Sequence, residues 1–121
     1  MKSVDFSNVK ITNGFWKERQ DLVRSVTVNA VYDRFSDTGR FEVFKFDKDS
    51  NVKPHIFWDS DVAKWMEGVA YLLMERNEPH LEAIMENLID LIEKNQDKCG
   101  YFNIFFTVIE PENRFKNRDC H

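Results

Sequence analysis

Trp58-Asp59-Ser60-Asp61-Val62-Ala63-Lys64-Trp65-Met66-Glu67-Gly68-Val69-Ala70-Tyr71-Leu72-Leu73 decides the fold, together with Leu81-Glu82-Ala83-Ile84-Met85-Glu86-Asn87-Leu88-Ile89-Asp90-Leu91-Ile92 a few residues on. In the first stretch Val62, Trp65, Met66, Val69, Leu72 and Leu73 recur every three or four positions, so they line one face of a helix. In the second, Leu81, Ile84, Met85, Leu88, Leu91 and Ile92 do the same, and Glu82, Glu86, Asp90 and Glu93 fall on the opposite, solvated side. Asp59 or Ser60 is a good N-cap, and Asp61 falls in the first turn, where the helix dipole favours an anion. Asn77 ends the first helix, and Pro79 suits the first position of the second, which runs to about Gln96. So short a link predicts an antiparallel helical hairpin.

Upstream, Val4, Phe6, Val9 and Ile11 alternate, which predicts an extended segment, and Thr12-Asn13-Gly14 marks a turn. A first helix is expected over about 15–35, with Phe15, Leu22, Val26 and Ala30 on its apolar face and Asp37-Thr38-Gly39 as its stop. The β-branched run Val26-Thr27-Val28 lowers helix propensity in its middle. Residues 40–57 carry Phe41, Phe44 and Phe46 among charges, and Pro54 pushes Lys53 out of helical geometry; this reads as a long loop with a short strand. Tyr101-Phe102-Asn103-Ile104-Phe105-Phe106-Thr107-Val108-Ile109 has neither charge nor Gly or Pro and reads as a strand or extended segment closed by Pro111. The expected class is therefore mainly α: three helices with a short β or extended segment near the C-terminus.

The 121 residues suit one domain or part of one, and 42% hydrophobic with 31% charged residues is a globular composition. Eleven Phe, three Trp and three Tyr are a large apolar load for so short a chain, so some rings are expected to face a partner, a ligand or a missing half. A net charge of −4 without a basic stripe argues against nucleic acid. No apolar run reaches the roughly 18 residues of a membrane span, and the N-terminus lacks a signal-peptide core, so a cytoplasmic location is expected. Two cysteines, Cys99 and Cys120, make no disulfide framework. The chain ends on Arg118-Asp119-Cys120-His121, with the uncharged run 101–109 a little upstream, which suggests the opening piece of a larger catalytic domain.

Four stretches in this order and spacing resemble the N-terminal end of glycoside hydrolase family 127, the β-L-arabinofuranosidases. They are Ile11-Thr12-Asn13-Gly14-Phe15-Trp16, Phe57-Trp58-Asp59-Ser60-Asp61-Val62-Ala63-Lys64-Trp65, Gly100-Tyr101-Phe102-Asn103-Ile104 and Arg118-Asp119-Cys120-His121. The resemblance covers essentially the whole chain, and the Asp-Ser-Asp-Val-x-Lys-Trp run is its most specific part. It implies part of an (α/α)6 barrel, whose twelve helices need some 250 residues or more. It further implies retaining hydrolysis of a terminal β-L-arabinofuranosyl unit by a zinc-bound cysteine thiolate, with a glutamate as acid/base. Those groups lie downstream in the family and match no position here. The isolated chain is accordingly expected to be non-catalytic and to hold no cofactor of its own, zinc belonging to the full-length enzyme. One departure concerns the turn: the family commonly has Asp-Gly-Tyr, whereas Cys99-Gly100-Tyr101 lacks the turn-favouring carboxylate.

By the same resemblance His121 matches a histidine that hydrogen-bonds the sugar, and Asp59 and Asp61 match an Asp-Ser-Asp run at the mouth of a helix. Read from the residues alone, Asp59-Ser60-Asp61 is equally a helix cap. Trp58 precedes the helix and could stack on a sugar; Trp65, on the apolar stripe, reads as core. His55, in a Pro-flanked loop, completes the substrate-binding candidates, and His80 reads as surface. Cys120-His121 alone is too few ligands for a structural zinc site, which takes four. The carbohydrate reading has a competitor: a non-enzymatic helical module that self-associates, or pairs with a downstream segment, through its surplus aromatics.

Overall fold

The computed structural model describes residues 2–118. It is mainly helical, and among the described residues there is no strand. A long helix opens at Gly14 as α1 (Gly14–Leu22), passes through a π-helical turn at Val23–Thr27 and continues as α2 (Val28–Asp37). Then come α3 (Trp58–Glu75), α4 (Pro79–Asn95) and the single-turn α5 (Phe105–Val108). The expected helical hairpin is α3 and α4, joined through residues 76–78, with Pro79 in the first turn of α4.

The core is where α2, α3 and α4 meet. Val62, Val69 and Leu72 of α3 pack with Val28 of α2 and with Leu81 and Leu88 of α4, all buried. Trp65 is 7% exposed, as a core residue should be, and its indole N–H donates to the Val28 carbonyl at 3.1 Å. Tyr32 and Phe41 lie against the same indole with ring centroids 5.8 and 5.6 Å away. Such offset and edge-on packing suits the ring quadrupoles.

The long helix presents a different face from the one its spacing predicts. Phe15, Leu22 and Val26 are exposed, and the core instead takes Val28 with Val31, Tyr32 and Phe35. The helix carries two apolar stripes, and the one with two large aromatic rings buries more surface than a stripe thinning to Ala30. Arg24, inside the π-helical turn, lies on the inward side. Its guanidinium donates to Glu78 at 2.5 Å, to Glu75 at 2.6 Å and to the Leu72 carbonyl at 3.1 Å, with the side chain only 10% exposed. It thereby neutralises the negative end of α3 and fixes the turn into α4.

Residues 42–45 form a 3-10 turn rather than the expected strand. A strand would send Val43 and Phe44 to opposite faces, whereas the turn buries both, at 5% and 1% exposure. The turn is bracketed by left-handed backbone, Gly39 at φ 78° and Phe46 at φ 54°. Gly39 is doubly required, because a Cβ there would lie 2.6 Å from Cγ1 of Val52.

The C-terminal uncharged run is extended only in its first residues. From Phe105 it turns into α5, started by the Asn103 side-chain oxygen accepting from the Phe106 N–H at 2.9 Å. Ile104 and Phe106 are almost wholly buried, at 1% and 0% exposure, which a short helix achieves without alternation.

Phe44→Ala should lower unfolding free energy by about 3–5 kcal/mol, because a fully buried ring leaves a cavity. Phe15→Ala, on the exposed stripe, should change it by no more than about 0.5 kcal/mol. Urea titrations followed by far-UV circular dichroism would measure both, and equal costs would refute the assignment of faces.

Candidate functional site

A cavity of about 570 Å³ lies between the first half of α3, Ile92 near the end of α4 and the 102–103 segment. Phe44, Phe57, Met66, Ile92 and Phe102 give it an apolar lining, and Asp59, Ser60, Lys64 and Asn103 supply the polar groups. An apolar wall with a few convergent polar groups is the usual character of a small-molecule site.

Asp59 is placed there by the first turn of α3. The helix begins at Trp58 with Phe57 as its cap residue, two or three positions before the expected caps, because the Phe57 carbonyl takes both the Asp61 N–H and the Ser60 hydroxyl. This frees the Asp59 carboxylate from capping across the turn. One oxygen accepts from the adjacent Ser60 N–H at 2.9 Å and the other from the Ile104 N–H at 3.3 Å, which joins α3 to the C-terminal segment. Burial raises its pKa above the ordinary 3.8, with the Asp61 charge adding a smaller push, although the backbone N–H groups oppose this.

Asp61, two residues on, is turned about 200° around the helix. It faces Arg40, with 3.6 Å between Oδ2 and Nε, and Lys64 at 3.9 Å. Trp58 belongs to the same cluster: the Arg40 guanidinium lies 5.0 Å from its ring centroid and 5.2 Å from that of Phe35. Trp58 and Asp61 thus lie outside the cavity lining, engaged with Arg40. His55 is exposed; its Nδ1 accepts from the Phe57 N–H at 3.3 Å and its ring packs beside Phe57 at the rim. His121 and Cys120 lie outside the described residues. Of the sequence candidates, then, Asp59 reaches the cavity wall and His55 its edge. Ser60, of the same Asp-Ser-Asp run, joins Asp59 in the lining, whereas Asn103 and Lys64 are site residues that the sequence reading missed; the signal for Asn103 was an amide inside an otherwise uncharged, aromatic run.

The turn before the cavity wall recovers what Cys99 lacks. Asp97 accepts from the Cys99 N–H at 3.1 Å, its carbonyl takes the Gly100 N–H at 2.7 Å, and Gly100 sits at φ 86°. The Arg114 guanidinium, at 3.0 Å, holds the Asp97 carboxyl down at about 2. Among the described residues no three His, Cys, Asp or Glu side chains converge in a way that could hold a metal, and Cys99 is exposed. The described residues therefore do not fit a zinc site, and no step through a metal is assigned to them. Nor, among them, is any helix long and apolar enough to cross a membrane.

The described residues thus form a mainly helical segment with a cavity walled by the start of one helix and a return loop. The family model for the β-L-arabinofuranosidase GH127 catalytic domain matches residues 8–119, and the chain belongs to that family. It is 33% identical to a non-reducing end β-L-arabinofuranosidase of Bifidobacterium longum subsp. longum over 123 residues, 84% of this chain and 19% of that protein. The crystal structure of a GH127 β-L-arabinofuranosidase from Geobacillus stearothermophilus superposes with a TM-score of 0.84 at 34% identity, over 94% of this chain and 20% of that one. The chain thus spans about a fifth of the length of the relatives it matches and corresponds to the N-terminal part of their catalytic domain.

The two carboxylates should give opposite pH signatures. Asp59 binds its proton more tightly when folded, so the wild type should lose stability relative to Asp59→Asn as pH rises from about 3.8 through the raised value. Asp97 is depressed, so the wild type should lose stability relative to Asp97→Asn as pH falls from 3.8 towards about 2. Urea midpoints across this range would read both slopes, and a parallel slope for the two variants would refute the assignment.

Proposed function

We propose that this chain forms the N-terminal part of a helical-barrel domain that hydrolyses terminal β-L-arabinofuranosides, and that it supplies sugar-facing wall but no catalytic group. The observation that carries this is the superposition on a β-L-arabinofuranosidase across 94% of the chain at 34% identity. The cavity beside α3 supports it: aromatic and aliphatic walls suit the carbon face of a furanose ring, and Asp59 and Asn103 offer acceptors and donors for hydroxyls. His121, next to the end of the family match, is the further sugar contact in this reading, with His55 at the rim. Trp58 and Asp61 act one step back, holding Arg40 and the start of α3.

On this reading the nucleophile, acid/base and zinc ligands belong to the part of the domain that the match does not cover. The exposed stripe Phe15, Leu22 and Val26, with Trp16 at 69% exposure, packs against that remainder, in a cytoplasmic enzyme. The same exposed stripe favours a second reading, in which two copies of the chain cover it mutually.

The chain alone should not release arabinose from a β-L-arabinofuranoside. Mixed with a separately produced polypeptide matching the remaining four-fifths of the Geobacillus enzyme, it should restore turnover. Turnover by the chain alone would refute the absence of catalytic groups. A stable dimer by light scattering that neither binds the second polypeptide nor restores turnover would favour self-association.

A further inference from the structure

Arg114 gathers four groups separated along the chain. Its Nη1 donates to the Asp97 carboxylate at 3.0 Å, its Nη2 to the Thr107 hydroxyl at 3.0 Å and its Nε to the Phe106 carbonyl at 3.3 Å. Its guanidinium carbon also lies 4.4 Å from the Tyr101 ring centroid. The carbonyl and hydroxyl belong to α5 and the carboxylate to the turn that follows α4, so one planar fork closes the 97–107 loop upon itself.

That loop provides the Phe102 and Asn103 wall of the cavity and the Ile104 N–H that meets Asp59. We infer that Arg114 is a positioning residue: by clasping Asp97 to α5 it holds the 101–104 wall against α3 and sets the direction of Asp59 and Asn103 into the cavity. Asp97 suits the role, because its carboxyl titrates far below neutral and keeps the clasp charged. A lysine keeps the charge and can meet Asp97, but it lacks the fork that also reaches Thr107 and Phe106.

The relevance of this clasp to sugar binding rests on the proposed function; its structural part does not. Hydrogen exchange of the purified chain tests the latter without any ligand. Arg114→Ala should raise exchange at the Ile104 and Phe106 amides by about tenfold or more, while the amides of α3 around Trp65 stay protected. Arg114→Lys and Asp97→Asn should give intermediate increases and, being milder, serve if Arg114→Ala fails to fold. The Asp59 carboxyl, followed by NMR, should fall towards its ordinary value as the loop lifts and water returns. Lys64, which shares the cavity lining, and Asp61, whose charge is felt from the other side of the helix, are unchanged in these variants, so their charges cannot account for a shift.

Unchanged exchange at Ile104 and Phe106 in all three variants, with an unchanged Asp59 midpoint, would overturn the inference. In the complemented assembly, Arg114→Lys should raise KM more than it lowers kcat, the mark of a binding wall that has lost its position. If that assembly shows no turnover while exchange responds as expected, the proposed function fails and the clasp stands. If the assembly turns over and both exchange and KM ignore Arg114, the clasp alone fails.

Discussion

The indole of Trp65 is the contact on which the rest depends. It is buried where α2, α3 and α4 meet, its N–H is satisfied by the Val28 carbonyl, and Tyr32 and Phe41 close over it. A buried N–H without a partner would be expensive, so α2 must present that carbonyl at the right place along α3. This bond, with the burial of Val31, Tyr32 and Phe35 against the core, fixes the height and the rotation of the long helix. Its consequence is the outward display of Phe15, Leu22 and Val26.

The rotation of α3 divides the Asp-Ser-Asp run into two roles. Residues two apart on a helix point to different sides, so Asp59 and Asp61 cannot act on one ligand atom together. Asp59 faces the cavity and the Ile104 N–H, whereas Asp61 pairs with Arg40 beneath Trp58. The motif is better understood as a joint: one carboxylate ties α3 forward to the C-terminal loop, the other ties it back to the 38–41 bend.

A chain that spans about a fifth of its relatives yet keeps their backbone leaves large apolar surface uncovered, and the N-terminal arm and α1 carry most of it. In a complete helical barrel each helix has neighbours on more than one side, so two apolar stripes on one helix are economical there. Among the described residues the stripe of Val28, Val31, Tyr32 and Phe35 is the one packed against the core, and Phe15, Leu22 and Val26 are exposed. Polar devices hold the unsupported ends in place, Arg24 at the end of α3 and Arg114 behind the cavity wall.

Sequence by itself determined the hairpin of α3 and α4, because two strong 3.6-residue periodicities separated by a Pro-marked turn admit little else. It also determined Trp65 as core and, through the Asp-Ser-Asp and Gly-Tyr-Phe elements, the family. Tertiary structure decided which of two apolar stripes on the long helix is buried, since periodicity cannot rank competing faces. It decided that 42–45 coils rather than extends, because the core needed Val43 and Phe44 on one side. The apolar run 101–109 was ambiguous for the same reason: a short uncharged stretch fits strand or helix equally, and only the Asn103 cap and the burial of Ile104 with Phe106 select the helix. The cavity was illegible in sequence because its wall joins residues 45 positions apart through a carboxylate that local chemistry would have spent on a cap.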